Sequence, residues 1–201
     1  MINMNPILYQ YICTTSSNLL TLPLDIVQTK VIAPQNTTFN LDELKWLALF
    51  PLIFTSQNIV YNNLFNIKNI FLRGAAAGII TTPIYTYLET SKINSRINQI
   101  PDYNVFICLI LIRQAIFYSL LYQISVFNIP NATFIAALVA NLIGFPIKLY
   151  TLIKSYSVFV VNKKTIIISS LIEIFKASIS DGSSLFLMYT PSFSPLNKLS
   201  N

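Results

Sequence analysis

The chain has 201 residues, 54% of them hydrophobic and only 10% charged, with a mean hydropathy of +0.60. So few polar side chains cannot coat a water-soluble globule, and the composition points to lipid as the natural solvent. Histidine is absent, which excludes His-based general acid–base and triad chemistry in their common forms and removes the commonest metal ligand. No glycine-rich phosphate loop follows a strand and two isolated cysteines cannot build a zinc site, so neither an enzyme nor a cofactor is expected.

Apolar stretches that could cross a bilayer recur from end to end, and in lipid such stretches must be helical because every backbone group has to be bonded internally. The predicted spans are 6–30, 46–66, 70–92, 104–127 and 131–157. A sixth apolar region, 165–190, is ambiguous because Ser-Ile-Ser-Asp-Gly-Ser-Ser interrupts it with a breaker cluster. The first residues carry neither a basic region nor a small-residue cleavage site, so no cleaved signal or transit peptide is expected. Cys13 and Cys108 fall inside spans, where a thiol packs as a small apolar group rather than in a disulfide framework.

The net charge of +6 does not imply nucleic acid. Its basic residues sit mostly in three connections: Lys30 and Lys45 flank the first, Lys92 and Arg96 the second, and Lys154, Lys163, Lys164 and Lys176 the third. With alternating spans all three lie on one side, opposite Lys68, Arg73 and Lys198. That asymmetry sets an orientation by the positive-inside rule, and solvated loop charges are the simplest reading.

Three segments share a pattern at a period of about 60 residues. They read Asn18-Leu-Leu-Thr-Leu-Pro23-Leu-Asp25, Gly78-Ile-Ile-Thr-Thr-Pro83-Ile-Tyr85 and Asn141-Leu-Ile-Gly-Phe-Pro146-Ile-Lys148. A proline inside a helix removes one backbone bond and clashes with the preceding turn, so kinks are expected at Pro23, Pro83 and Pro146. Gly74 and Gly78 form a small-xxx-small face suited to tight helix packing. A weaker element pairs Trp46 to Pro51 with Phe186 to Pro191, each an aromatic five residues before a proline, the second introduced by Asp181-Gly182.

These residues resemble the mitochondrial carrier family, whose repeat begins Pro-x-acidic-x-x-basic-x-basic at the end of each odd helix. Pro23-Leu-Asp25-Ile-Val-Gln28-Thr-Lys30 keeps the proline, the acid and the second base, with Gln28 where the first base belongs. The second repeat places Tyr85 and Leu88 at the charged positions, and the third places Lys148 and Thr151 there. The connections after the first two odd helices are short, so the surface helices of that family are expected to be missing or reduced; the third reads as ordinary in length. The resemblance implies an all-α membrane protein: one domain over 1–201, in repeats of about 1–68, 69–128 and 129–201, folded as a six-helix, pseudo-threefold, carrier-like bundle with proline-kinked odd helices. Two alignments stay open. In one, Asp181 to Pro191 closes the third repeat, leaving five spans plus a stub and a bundle open at one seam. In the other, 165–190 crosses the membrane as a sixth span.

The resemblance implies transport of a small anionic metabolite, a carboxylate or nucleotide, by alternating access in the mitochondrial inner membrane. Partners would be the lipid bilayer and the anionic solute. The alternative is a degenerate carrier homologue that no longer transports and serves as a membrane binding or scaffold protein. Intramembrane charges are costly and are functional candidates by default. Asp25, Gln28, Lys30 and Lys148 are the candidate gate, with a single Asp25–Lys148 bridge as what survives of the family's network; otherwise both lie solvated at the membrane edge. Arg113 stands amid Leu, Ile, Phe and Tyr, and the resemblance puts it with Gln114 at a substrate-contact position, where a guanidinium suits carboxylate or phosphate. Thr55 is the corresponding residue of the first even helix. The structural alternative ties Arg113 to helix-end carbonyls or to Glu89.

Overall fold

The computed structural model describes residues 5–33, 43–126, 131–156 and 162–189, and among them the chain is entirely helix and short connections. The helices are α1 (Pro6–Ile32), α2 (Glu43–Leu49), α3 (Pro51–Asn63), α4 (Ile70–Ile97), α5 (Tyr103–Ser125), α6 (Ala132–Ser155) and α7 (Lys163–Tyr189). Local chemistry sets the ends. The Asn69 side chain accepts from Leu72 N at 3.1 Å and Asp102 from Asn104 N at 3.1 Å, giving α4 and α5 N-caps. Asn98 ends α4 in the left-handed region at φ 50°, which asparagine tolerates. Pro51 cannot donate, so the expected 46–66 span divides at Phe50 into α2 and α3, which together form one rod.

α7 runs unbroken through Ser180, Asp181 and Gly182, so the expected breaker cluster does not break the helix, and the ambiguous 165–190 region is one 27-residue rod, the continuous helix that the second alignment expects. Tertiary packing overrides the local signal. Gly182 has no side chain where a Cβ would collide with the Phe134 ring, so α7 lies close against α6. Each rod packs on its neighbours in chain order and α7 packs on α1, closing the ring that a stub would have left open. The third connection, 156–162, is also short, contrary to expectation. Side chains from Ser184 to Tyr189, Pro191 and Lys198 lie outside the described residues, and with them the Phe186–Pro191 element.

Helices α1, α4 and α6 continue through Pro23, Pro83 and Pro146, each with its ring on the exposed face. The three repeated segments share one pattern of inside and outside. Leu19 and Leu20, Ile79 and Ile80, and Leu142 and Ile143 are exposed, whereas Thr21, Thr81 and Gly144 are buried. The inner hydroxyls bond their own helix carbonyls, as Thr81 Oγ1 does to Ala77 O at 2.8 Å and Thr151 Oγ1 to Ile147 O at 2.7 Å. Polarity is thus inverted relative to a water-soluble bundle: Gln10, Ser17, Gln57, Thr90 and Gln114 are buried while Leu20, Phe71, Tyr87 and Phe175 are exposed. Among the described residues two helices, α5 and α6, are long and apolar enough to cross a membrane.

Gly74 and Gly78 set the α4–α5 contact. A Cβ on Gly74 would lie 2.6 Å from Tyr118 O, and one on Gly78 would collide with Gln114 O. This close approach fixes the height of Arg113 and Gln114 against α4. Gly78→Ala is expected to destabilise the protein by about 1–3 kcal/mol through overpacking, whereas Ile80→Ala on the outer face should change the detergent melting temperature little; thermal unfolding of both variants checks this.

Candidate functional site

A cavity of about 160 Å³ lies inside the ring and takes lining residues from every rod. α1 contributes Asn18 and Asp25, the α2–α3 rod Trp46 and Phe50, α4 Tyr85, Glu89 and Lys92, α5 Arg113, α6 Asn141 and Lys148, and α7 Glu173, Lys176 and Asp181. Helical spacing brings them together. Positions 18, 21, 25 and 28 of α1, 85, 89, 92 and 96 of α4, and 173, 176 and 180 of α7 are three or four residues apart, so each set shares one helix face.

Among the described residues, seven charges form a continuous network. Asp25 meets Lys92 Nζ at 3.2 Å and Arg96 Nη2 at 2.9 Å on α4, and Lys176 Nζ at 3.2 Å on α7. Glu89 meets Lys92 at 3.4 Å and, across to α6, Lys148 at 3.0 Å. Glu173 meets Lys176 at 2.7 Å and Lys148 at 3.9 Å. The path therefore runs α1–α4–α6–α7 and back to α1. Phe50, at the α2–α3 break, brings the remaining rod of that side to the network by standing 4.1 Å from Lys92 Nζ in a cation–π contact. Asp25, Glu89, Lys92 and Lys148 line both the main cavity and a smaller hollow of about 30 Å³, so the ion pairs separate the two.

The expected gate residues take different parts. Asp25 and Lys148 both belong to the network, but the expected Asp25–Lys148 bridge is corrected: each is paired with other residues. Gln28 Oε1 accepts from Lys176 Nζ at 3.0 Å, so α7 supplies the base at a position where α1 has an amide. Lys30 is exposed in the last turn of α1, outside the network. Lys92, Arg96 and Lys176, expected in solvated connections, are instead inside helices and largely buried, because α4 extends past 92 and α7 begins at Lys163. The missed signal is a spacing. Glu89-x-x-Lys92 and Glu173-x-x-Lys176 are acid–base pairs three residues apart, and Glu89 lies one turn beyond Tyr85 on the same face, so the second repeat carries its charge a turn later.

Arg113 is 5% exposed and lines the cavity, stacked 5.3 Å from the centre of Tyr85 and 5.0 Å from that of Phe117. Its Nη1 donates to Gln114 Oε1 at 3.0 Å, while Nε has no partner. Among the described residues no carboxylate pairs with it, so the Glu89 alternative does not hold. Gly144 leaves it room: a Cβ there would lie 3.8 Å from Nε. Gln114 and Thr55 are buried behind the lining rather than on it, which corrects their expected place as contacts. Asn141 Nδ2 donates to Asp181 Oδ2 at 2.8 Å and Ser180 Oγ to Asn18 Oδ1 at 3.0 Å. No metal-binding group of His, Cys, Asp and Glu exists among the described residues.

Compared with protein-family models, curated proteins and solved structures, the chain finds no match. The site must therefore be read from its own chemistry. Breaking one buried ion pair strands a charge at a cost of about 3–5 kcal/mol, and Asp25 faces three cations. Asp25→Asn is expected to lower the melting temperature sharply, while Lys30→Gln should stay within about 0.5 kcal/mol of the parent, as exposed substitutions do. Reversing Asp25 and Lys148 together should give no rescue, whereas Glu89→Lys with Lys148→Glu should recover part of the stability lost in either single reversal, measured by thermal unfolding in detergent.

Proposed function

We propose that this protein is a carrier-like membrane transporter of a small anionic metabolite, working by alternating access. The observation that carries the reading is Arg113: a buried guanidinium without an acidic partner, facing a cavity walled by all six rods. A guanidinium so placed needs an anionic ligand, and a planar carboxylate matches its donors. A cavity of about 160 Å³, close to the ~150 Å³ cavity that takes benzene, supports the smaller of the two expected substrates, a small carboxylate.

The inverted polarity supports the bilayer as partner, since bands of exposed Leu, Ile and Phe on this scale suit lipid rather than water. The charge network would serve as the gate. Its members sit on four rods and are joined only by side chains, so moving the rods apart exchanges partners without unfolding any helix. The threefold pattern of the proline segments supports a pseudo-threefold, carrier-like arrangement, and assignment to the mitochondrial inner membrane follows from that resemblance. The non-transporting alternative is favoured by Tyr85, an uncharged residue where the family's second acid belongs. Glu89, one turn further along the same face, weakens that ground.

Reconstituted proteoliposomes test the proposal by uptake of labelled small carboxylates. Arg113→Leu is expected to lower uptake at least tenfold while leaving the melting temperature equal or higher, because replacing a buried unpaired charge with an apolar side chain relieves strain. Ligand-dependent stabilisation without uptake would favour the scaffold reading, and uptake unaffected by the substitution would remove Arg113 from the site.

A further inference from the structure

The charge network neutralises Asp25, Glu89 and Glu173, but one more carboxylate lines the same cavity. Asp181 has Asn141 as its hydrogen-bond donor and no cation paired with it among the described residues. The cavity wall therefore carries a cation without an acidic partner, Arg113, and a carboxyl group without a cationic one, Asp181. A purely anionic solute held by Arg113 would share its chamber with a carboxylate of the same sign. We propose that the solute is a small zwitterion, an amino acid whose carboxylate is taken by Arg113 and whose ammonium is taken by Asp181. This rests on the transport reading above and names the substrate class of its site.

Helix geometry supports the two-point fit. Asn141, which holds Asp181, precedes Lys148 by seven residues on α6, about 10 Å or two turns from the charge network. Gly144, which faces Arg113, lies between them, about 4–5 Å along the axis from the Asn141 level. Arg113 on α5 and Asp181 on α7 thus stand at adjacent levels on the two helices that flank α6, and both line the same small cavity. A small amino acid would join the two groups through one short carbon bridge, with a hydrogen bond of roughly 2.8 Å at each end. Asn18 and Ser180 bond each other beside Asp181, and both line the cavity, so they add acceptors for the remaining ammonium hydrogens. The apolar walls come from Trp46, Ile53, Phe54 and Phe117, which leaves a side chain of modest size.

Matched pairs that differ only in the ammonium group test this: L-alanine against L-lactate, L-serine against L-glycerate, and L-aspartate against L-malate, each titrated by thermal shift on the detergent-purified full chain. In at least one pair the amino acid is expected to bind ten times or more tightly than its hydroxy acid. Asp181→Asn should erase that preference and Asp181→Glu should keep part of it, while hydroxy-acid binding survives both. Equal or tighter binding of the hydroxy acid in every pair would overturn the zwitterion assignment and leave anion transport standing, as would an Asp181→Asn protein that keeps the preference. If no member of any pair binds, both readings fall. The comparison within each pair is made on the parent protein, so it decides the matter even if the Asp181 variants fail to fold.

Discussion

Buried charges must neutralise one another, and here that requirement joins α1, α4, α6 and α7 across the middle of the bundle. Leaving any of the seven charges alone in so apolar a setting costs several kcal/mol, so each helix must present its charged face inward and at one level. That fixes the rotation of four rods at once. Phe50 over Lys92 fixes the α2–α3 rod, and the glycine contact of Gly78 with Gln114 fixes α5. The inward rotation then throws Leu, Ile and Phe outward on every rod, and the inverted polarity follows.

The cavity is a consequence of the same constraint. Side chains of Lys, Glu and Asp reaching across to one another fill one level of the ring and leave space above it, where the shorter side chains of Asn18, Asn141 and Asp181 line the wall. Arg113 enters that space from α5 because Gly144 leaves an opening and because Tyr85 and Phe117 offer ring faces to its guanidinium. A network built wholly of side-chain ion pairs is strong when closed yet can be reassembled with other partners. Those are the properties that the proposed gate needs.

Glycine and proline divide their work by face. Gly74, Gly78 and Gly182 lie where a helix meets its neighbour and permit contacts that a single methyl would prevent. Pro23, Pro83 and Pro146 lie on the exposed side, where the ring does not intrude on the lining. The same residues are poor local predictors. Gly182, amid serines, reads as a helix breaker, yet it is the reason α7 can pack on α6 and carry Asp181 to the cavity.

Much of this architecture was legible in the chain. The apolar composition and the length of the stretches determined an all-helical protein and five of its rods, and the periodic prolines marked the three repeated segments, whereas the sixth rod stayed open between two alignments. Arg113 declared itself as the one arginine amid a long apolar run, and Asp25 as the acid after a proline. Pairing was not legible. Which of four cations meets Asp25, that Lys148 turns to Glu89 and Glu173, that Gln114 and Thr55 lie behind the wall, and that Asp181 stands without a cation are decided by helix ends and rotations. Those depend on contacts between residues as far apart as Asp25 and Lys176, and no local pattern encodes such distances. Tertiary packing alone supplied the closed ring, and with it the cavity.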